Sequence, residues 1–464
     1  MSRAKALRHP EPSTYLSSTE ARERLDAIMG APSSTDWGLL FRNRAFLYLF
    51  SARTIAQFGN TFGAIALIWY VYAKTGSPIA LTLVGLAEIV PLLGLGLFSG
   101  ALVDRYERRR TTGASALGRG AAMGILIASV LLLGFNLAVV LAVVVGFSIV
   151  STFMGPASTA LLPQIVAKDE ISRANGVIQA AGNTVAIIGM SMAGVLIALV
   201  GVLPALTIDA VSFVVSGAMV LMISSRAISV SSSAASNPSS SLWKEVADGI
   251  RYLRSQVALL ELTLSALSLN FFATLSGLFV VVYVTQVLKG GSLMFGAVNA
   301  VDAAGLAIGS LIVGPTRLTR FTGRLWAIAG IVFGAFLGLL VIVPLSLPTG
   351  WDVFLAIGII YLGFGLFGGA IGTAWLSTAQ AVVPEEFQGR YFALDNLGSF
   401  AATPAAQVTG GLLTSARGIL TTYAVSAAGC AVFGGFFVTR KELRSLSYDP
   451  GKAPVQRAES DRLR

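Results

Sequence analysis

The chain has 464 residues, 55% of them hydrophobic and 12% charged, with a formal net charge of +10 and a mean hydropathy of +0.76. Soluble domains carry about 25% charged residues, so this chain has too little polar surface to cover itself in water and reads as a polytopic membrane protein. One cysteine, Cys430, and one histidine, His9 in the polar N-terminal stretch, leave no material for an intramolecular disulfide, a His/Cys metal centre or a histidine-based catalytic triad. No GxxxxGK[ST] phosphate loop occurs, so the chain does not read as ATP-driven, and no cofactor beyond a proton gradient is expected.

Residues 1–44 are polar and of mixed charge, without an apolar core and cleavage site, and read as a cytosolic tail rather than a signal peptide. Within it, Ser17-x-x-Glu20 has the spacing of a capping box for a short helix through Ala27. Twelve apolar segments follow, each near the ~20 residues that cross a bilayer as a helix: 45–72, 78–103, 112–134, 137–163, 174–200, 203–224, 256–286, 293–316, 324–344, 351–378, 390–414 and 418–439. Backbone in hydrocarbon must satisfy its own hydrogen bonds, which makes these segments helices.

An even number of segments puts both tails on one side. The loops on that side, including 104–111 and 225–255, are rich in Lys and Arg, whereas the opposite loops carry only Lys74, Lys289 and Arg417. The positive-inside rule therefore places both tails in the cytosol of a plasma-membrane protein. The net positive charge is a topology signal, and no nucleic-acid partner is expected.

Residues 229–241 contain eight serines and one proline, a flexible linker composition. After it, Leu242, Val246, Ile250 and Leu253 share one helical face, the pattern of an amphipathic helix at a membrane surface. The expected organisation is a tail (1–44), a six-helix bundle (45–224), a cytosolic linker (225–255), a second six-helix bundle (256–439) and a tail (440–464). The halves echo each other: VAKDEI from Val166 matches VVPEEF from Val382, Gly182 and Gly194 match Gly398 and Gly410 at the same offset, and DRYERR from Asp104 matches TRFTGR from Thr319. A shared offset points to two repeated bundles.

Between segments 2 and 3 stands SGALVDRYERRR, residues 99–110. It resembles the loop between helices 2 and 3 of the major facilitator superfamily, roughly G-x-L-x-D-R-x-G-R-(R/K). Gly100, Leu102, Asp104, Arg105, Arg108 and Arg109 fit, with Glu107 where glycine is usual. The resemblance runs from Phe41 to about Arg440. FRNRAFLYLFSARTIAQFGNTFGAIAL, MGPASTALLPQIVAKDEISRANGVIQAAGN and PEEFQGRYFAL resemble the efflux group of macrolide exporters and the enterobactin exporter. It implies an all-α membrane fold of twelve transmembrane helices in two pseudo-symmetric six-helix bundles, working by alternating access. It also implies that Asp104, with Gly100, Arg105, Arg108 and Arg109 around it, latches the outward-facing state against the start of helix 11, near Gln388 to Arg390. The plainer reading of Arg108 to Arg110 is that basic residues fix topology.

A charged side chain in mid-bilayer costs at least ~2.5–3.5 kcal/mol. Glu88 lies about eleven residues from the outer end of segment 2, and Asp302 about ten residues into segment 8. The two segments are equivalent in the repeats, and both acids are expected to line the central cavity, with one or both binding protons. The alternative is a carboxyl held neutral by a neighbouring hydroxyl or amide. Arg53 is expected to pair with Glu88 or with Asp395. Asp209 reads as a capping or packing residue, and Glu261 as one reaching the interface. Gln57, Asn60, Gln179, Asn183, Asn270, Asn299, Tyr361, Trp375 and Asn396 are candidates for lining the cavity. Trp69 is a further aromatic of that kind, and the alternative for most of these is helix–helix glue. Gly363-x-Gly365-x-x-Gly368 fits a dinucleotide pattern but lies inside an apolar helix, where glycine serves close helix approach.

Two departures weaken standard proton coupling. Met190 stands where proton antiporters usually have proline, and Gly59-Asn60 stands where many relatives have glycine followed by an acid. The expected function is proton-coupled efflux of an amphipathic small molecule by a monomer in the bilayer. The rivals are an uptake permease or lipid flippase of the same fold, and a non-transporting sensor; an intramembrane enzyme has no catalytic constellation to rest on.

Overall fold

The computed structural model describes residues 42–103, 106–167, 170–224, 251, 253, 254, 256–313, 321–347, 350–383 and 385–445. These residues form helices and, among them, no strand. In chain order the helices are α1 (Arg44–Thr75), α2 (Pro78–Val103), α3 (Arg108–Leu133), α4 (Leu137–Ile165), α5 (Ile171–Val200) and α6 (Val202–Leu221). There follow α7 (Val257–Gly277), α8 (Val280–Gln286), α9 (Ser292–Val313), α10 (Thr322–Ser346), α11 (Trp351–Val382), α12 (Glu385–Arg417), α13 (Ile419–Val438) and the short α14 (Lys441–Ser445).

Ten of them, α2 to α7, α9 to α11 and α13, are long and apolar enough to cross a membrane. The two longest beside them, α1 with 32 residues and α12 with 33, fall short in apolar content. Arg44, Arg53, Gln57, Asn60 and Lys74 in α1 and Glu385, Glu386, Gln388, Arg390, Asp395, Asn396 and Gln407 in α12 are among their polar residues. Helix ends follow local chemistry. The Asn43 side chain accepts from the Phe46 N–H at the start of α1, and the Asn136 side chain accepts from Ala138 and Val139 N–H at the start of α4.

The helices pack as two bundles of six, with α7 and α8 forming one broken helix. The same neighbours recur in each half: α3 lies on α6 as α10 lies on α13, and α2 lies on α4 as α9 lies on α11. The repeat is written in glycine. A β-carbon on Gly113 or Gly217 would run into the backbone carbonyl of the other across the α3–α6 seam, and Gly330 and Gly434 abut in the same way across α10–α13. Gly201 and Gly418, at φ 89° and 84°, make the tight α5–α6 and α12–α13 turns in a conformation that favours glycine. Gly330, Gly434 and Gly418 follow Gly113, Gly217 and Gly201 by 217 positions each.

Successive helices alternate direction, so α1 starts and α13 ends at one face, here the terminal face. The bundles meet in the half nearer the opposite face. There Trp69 stacks on Phe295 with centroids 6.0 Å apart, Gln286 Nε2 donates to the Tyr72 hydroxyl at 3.0 Å, and the Thr82 hydroxyl donates to the Gln407 carbonyl at 3.3 Å. Gly194 of α5 and Gly296 of α9 press backbone against backbone.

Segment 7, expected as one helix, is interrupted between Gly277 and Val280. Phe279, fully buried, seats its ring against Gly410 and Gly411 of α12. Most of the linker 225–255, and with it the amphipathic helix expected after the serine run, lies outside the described residues, as do residues 1–41 and 446–464. The last described residues form α14, which is tied down: the Leu443 N–H donates to Glu261 Oε2 at 3.0 Å, and Arg440 lies 3.8 Å from Glu261 Oε1. Glu261, expected only to reach the interface, anchors the chain end to α7.

Candidate functional site

A cavity of about 340 Å³ lies in the second bundle among α7, α9, α10, α11 and α12. Asp302 from α9 and Asp395 from α12 both line it, beside Asn270, Trp375, Trp326 and Phe333. Asp302 sits ten residues into α9, and a β-carbon on Gly365 would fall on its backbone, so α9 and α11 touch at the level of the acid. The Oδ1 atoms of Asp302 and Asp395 are buried without a hydrogen-bond partner. Aromatic rings form the wall: Phe333 meets Phe364 edge-on with centroids 4.6 Å apart, and Trp326 is fixed by its Nε1 donating to the Ile371 carbonyl at 3.2 Å. Two carboxylates and an apolar aromatic wall match a ligand with a positive charge and a hydrophobic body.

Of the residues expected at a cavity, Asp302, Asp395, Asn270 and Trp375 come together here. Tyr361 does not belong to this wall: it is buried behind Asp302, with its hydroxyl 3.0 Å from that of Tyr423. The Asn299 side chain turns back to donate to the Phe295 carbonyl at 2.7 Å, and Trp69 is spent on the contact between bundles. Gln179 and Asn183 are exposed on α5. The side chain of Asn396 lies outside the described residues. Gly363, Gly365 and Gly368 receive Phe336, Asp302 and Phe333 from neighbouring helices, the close-approach role expected of them.

Glu88 stands apart from this cavity. It is exposed on α2, and its backbone carbonyl accepts from the Ser148 hydroxyl. Arg53 makes no ion pair with Glu88 or Asp395 among the described residues. The first bundle instead carries a buried cation, Arg119, a residue absent from the sequence candidates. Arg119 projects from α3 into the first bundle, between the rings of Phe213 and Phe147 at 4.2 and 4.9 Å. Its Nη2 donates to Asn60 Oδ1 at 2.5 Å and its Nη1 to the Ser151 hydroxyl at 3.3 Å. The guanidinium interacts electrostatically with both Asp209 and Glu88. Asp209, expected to cap or pack, is wholly buried on α6, and neither of its carboxylate oxygens has a hydrogen-bond partner. The rule that flags an acid in mid-bilayer flags Arg119 equally, seven residues into segment 3. Asn60, where an acid is usual, holds the guanidinium without neutralising it.

At the terminal face, Asp104 and Arg105 lie outside the described residues. Arg109 donates through Nη1 to the Leu221 and Ile223 carbonyls at 3.2 and 2.7 Å, closing the end of α6, and through Nε to Glu107 at 2.9 Å. Arg108 donates to the Ala160 carbonyl of α4 at 3.3 Å. These carbonyl contacts lie within the first bundle, where a cation is favoured by the carbonyl end of a helix.

Two bundles of six helices related by an internal repeat, a polar cavity among apolar helices and a basic loop after the second helix define a secondary membrane transporter. The sequence profile of the Major Facilitator Superfamily matches residues 49–407. The chain belongs to that superfamily: it is a multi-pass membrane transporter and not an enzyme. It is 27% identical over 381 residues to the uncharacterized MFS-type transporter YvqJ of Bacillus subtilis (strain 168), covering 81% of this chain and 87% of that protein. A shorter stretch of 135 residues, 29% of this chain and 33% of the other, is 25% identical to macrolide efflux protein A of Streptococcus pyogenes. Another of 63 residues, 14% of this chain and 16% of the other, is 33% identical to the staphyloferrin A transporter of Staphylococcus aureus. Among solved structures, the fold matches a bacterial homologue of the iron transporter ferroportin in its inward-facing state, with TM-score 0.63 and 16% identity over 86% of this chain and 99% of that one. It also matches the nucleoside transporter NupG, with TM-score 0.69 and 11% identity over 85% of this chain and 99% of that one.

Proposed function

We propose that this chain exports amphipathic, positively charged small molecules across the plasma membrane in exchange for protons. The observation that carries the reading is the pairing of Asp302 and Asp395 in one aromatic-walled cavity. A carboxylate in an apolar wall favours either a proton or an organic cation, and the two compete for the same oxygen, which is the minimum needed for exchange. The macrolide efflux protein among the relatives supports the export direction. The excess of Lys and Arg in the loops of the terminal face supports a cytosolic terminal face. With that orientation the contacts of Trp69 with Phe295 and of Gln286 with Tyr72 lie toward the outside, which supports an inward-facing reading.

The test uses purified protein in liposomes loaded with a pH-sensitive dye, under an imposed proton gradient, with lipophilic amines such as macrolides and cationic dyes added. Amine-triggered proton flux is expected for the wild type and is expected to be lost in Asp302→Asn or Asp395→Asn. Flux unchanged in both variants would move the exchange site elsewhere. Absence of flux with every amine, alongside flux with anionic compounds, would overturn the charge assignment.

A further inference from the structure

The first bundle holds a second ionisable site, separate from the cavity. Three groups share it: Arg119, Asp209 and Glu88. Arginine keeps its proton in any protein environment, so one positive charge faces two acids. The guanidinium is committed through Nη2 to Asn60 and through Nη1 to Ser151, and its Nε is buried with no partner. Opposite it the Asp209 carboxyl is at 0% exposure, and neither oxygen has a hydrogen-bond partner. Gly63 of α1 packs directly against that carboxyl and Gly59 against Ser212 one turn on, so α1 seals it from the bilayer and from solvent.

An ionised carboxylate in such a place would leave both oxygens unsolvated, which costs several kcal/mol unless a cation bonds them directly. Arg119 is near enough to be felt, yet it bonds elsewhere. The arrangement is that of a neutral carboxyl beside a guanidinium that has let go of it.

Other charged groups on the helices packed against α6 do not compete for this role. On α1 these are Arg44, Arg53 and Lys74; on α3, Arg108 to Arg110; on α5, Arg173. The charges that act on Asp209 are those of Arg119 and Glu88.

We propose that Asp209 is a proton-binding site of the first bundle, its loaded form the one seen here and its unloaded form an ion pair with Arg119. Loading adds one proton to a carboxylate oxygen of Asp209 and releases Arg119 to Asn60 and Ser151. Unloading returns that proton to water, and Arg119 swings from Asn60 onto Asp209. The swing couples α3, α6 and α1, so proton occupancy changes how the helices of the first bundle bind one another. The proposal deepens the proton-coupled reading of function and rests on it: it adds a proton site in the first bundle to the exchange proposed at Asp302 and Asp395 in the second.

The test requires no transported compound. Infrared difference spectra of the reconstituted full chain on a pH step record the carboxylic C=O stretch of protonated acids. In a Glu88→Gln background, a band gained on acidification is expected and should be lost on adding Asp209→Asn. Adding Arg119→Gln to the same background should raise the titration midpoint of that band by about 1 to 3 pH units, because the opposite charge that favours ionisation is gone, and Arg119→Lys should restore much of the difference. A band set unchanged by Asp209→Asn, or a midpoint unmoved by Arg119→Gln, overturns the proposal; if one variant fails to fold, the other decides. A chain that shows this band but exchanges no amine keeps the site and loses the proposed function. A chain that exchanges amines without the band keeps the function and loses the site.

Discussion

Gly194 of α5 and Gly296 of α9 abut across the bundle interface, each filling the space that a β-carbon on the other would need. This contact exists in a conformation closed at the opposite face and must part when that face opens. A side chain here penalises one state of the cycle and leaves the interior of each bundle untouched. Gly194→Val or Gly296→Val is therefore expected to shift the protein toward the open-outside state and to slow transport at least tenfold without unfolding it. Accessibility of a cysteine introduced at Trp69 to an impermeant thiol reagent should rise in the same variants.

The seams α3–α6 and α10–α13 lie within bundles, and substitution there should act on folding instead. Gly217→Leu and Gly434→Leu each force a side chain into neighbouring backbone. Overpacking of this kind costs about 1–3 kcal/mol, and equivalent losses are expected in the two halves. Thermal unfolding in detergent would show both variants lowered by similar amounts; a large loss in one half alone would mean that the two seams are not equivalent.

Arg119→Met removes two hydrogen bonds and two ring contacts, leaving the Asn60 oxygen unpaired. The expected loss of stability is about 1–3 kcal/mol, the usual penalty for orphaning a buried polar partner. Asp209→Asn keeps the shape of the neutral carboxyl and should cost less than Arg119→Met at acidic pH. The order of the two melting temperatures checks this directly.

Glu261→Gln removes the charge that faces Arg440 and weakens the acceptor of the Leu443 N–H. α14 is expected to detach while the long helices persist. Faster hydrogen exchange confined to residues 441–445, with unchanged exchange in α7, is the expected signature.

The fold was legible from the sequence because its determinants are local or periodic. Apolar runs mark the helices, Asn43 and Asn136 mark two starts, and matched strings such as VAKDEI and VVPEEF mark the repeat. The site was legible only in part. A single sequence gives the depth of a residue along its helix but not the direction in which it points. Asp302 could be placed near mid-membrane by counting and Asp395 near the end of its segment, but counting did not show that they share a cavity, and packing turned Tyr361 away from it and toward Tyr423. Arg119 and Asp209 lie ninety positions apart on separate helices, so their association is a product of the α3–α6 glycine seam rather than of any motif. The break in segment 7 was hidden for a related reason: its cause, the bed of Gly410 and Gly411 under Phe279, belongs to another helix.

That break has a mechanical consequence. A continuous rod tilts as one piece, so widening one end narrows the other. A jointed rod can swing its inner limb while the outer limb stays parked. Here the outer limb is held from both sides, by the Tyr283 hydroxyl donating to the Leu340 carbonyl at 2.7 Å and by Gln286 reaching Tyr72. The inner limb, α7, carries Asn270 to the cavity edge and Glu261 to the chain end. Such a joint lets α7 flex at the cavity while the contacts of α8 with Leu340 and Tyr72 stay in place.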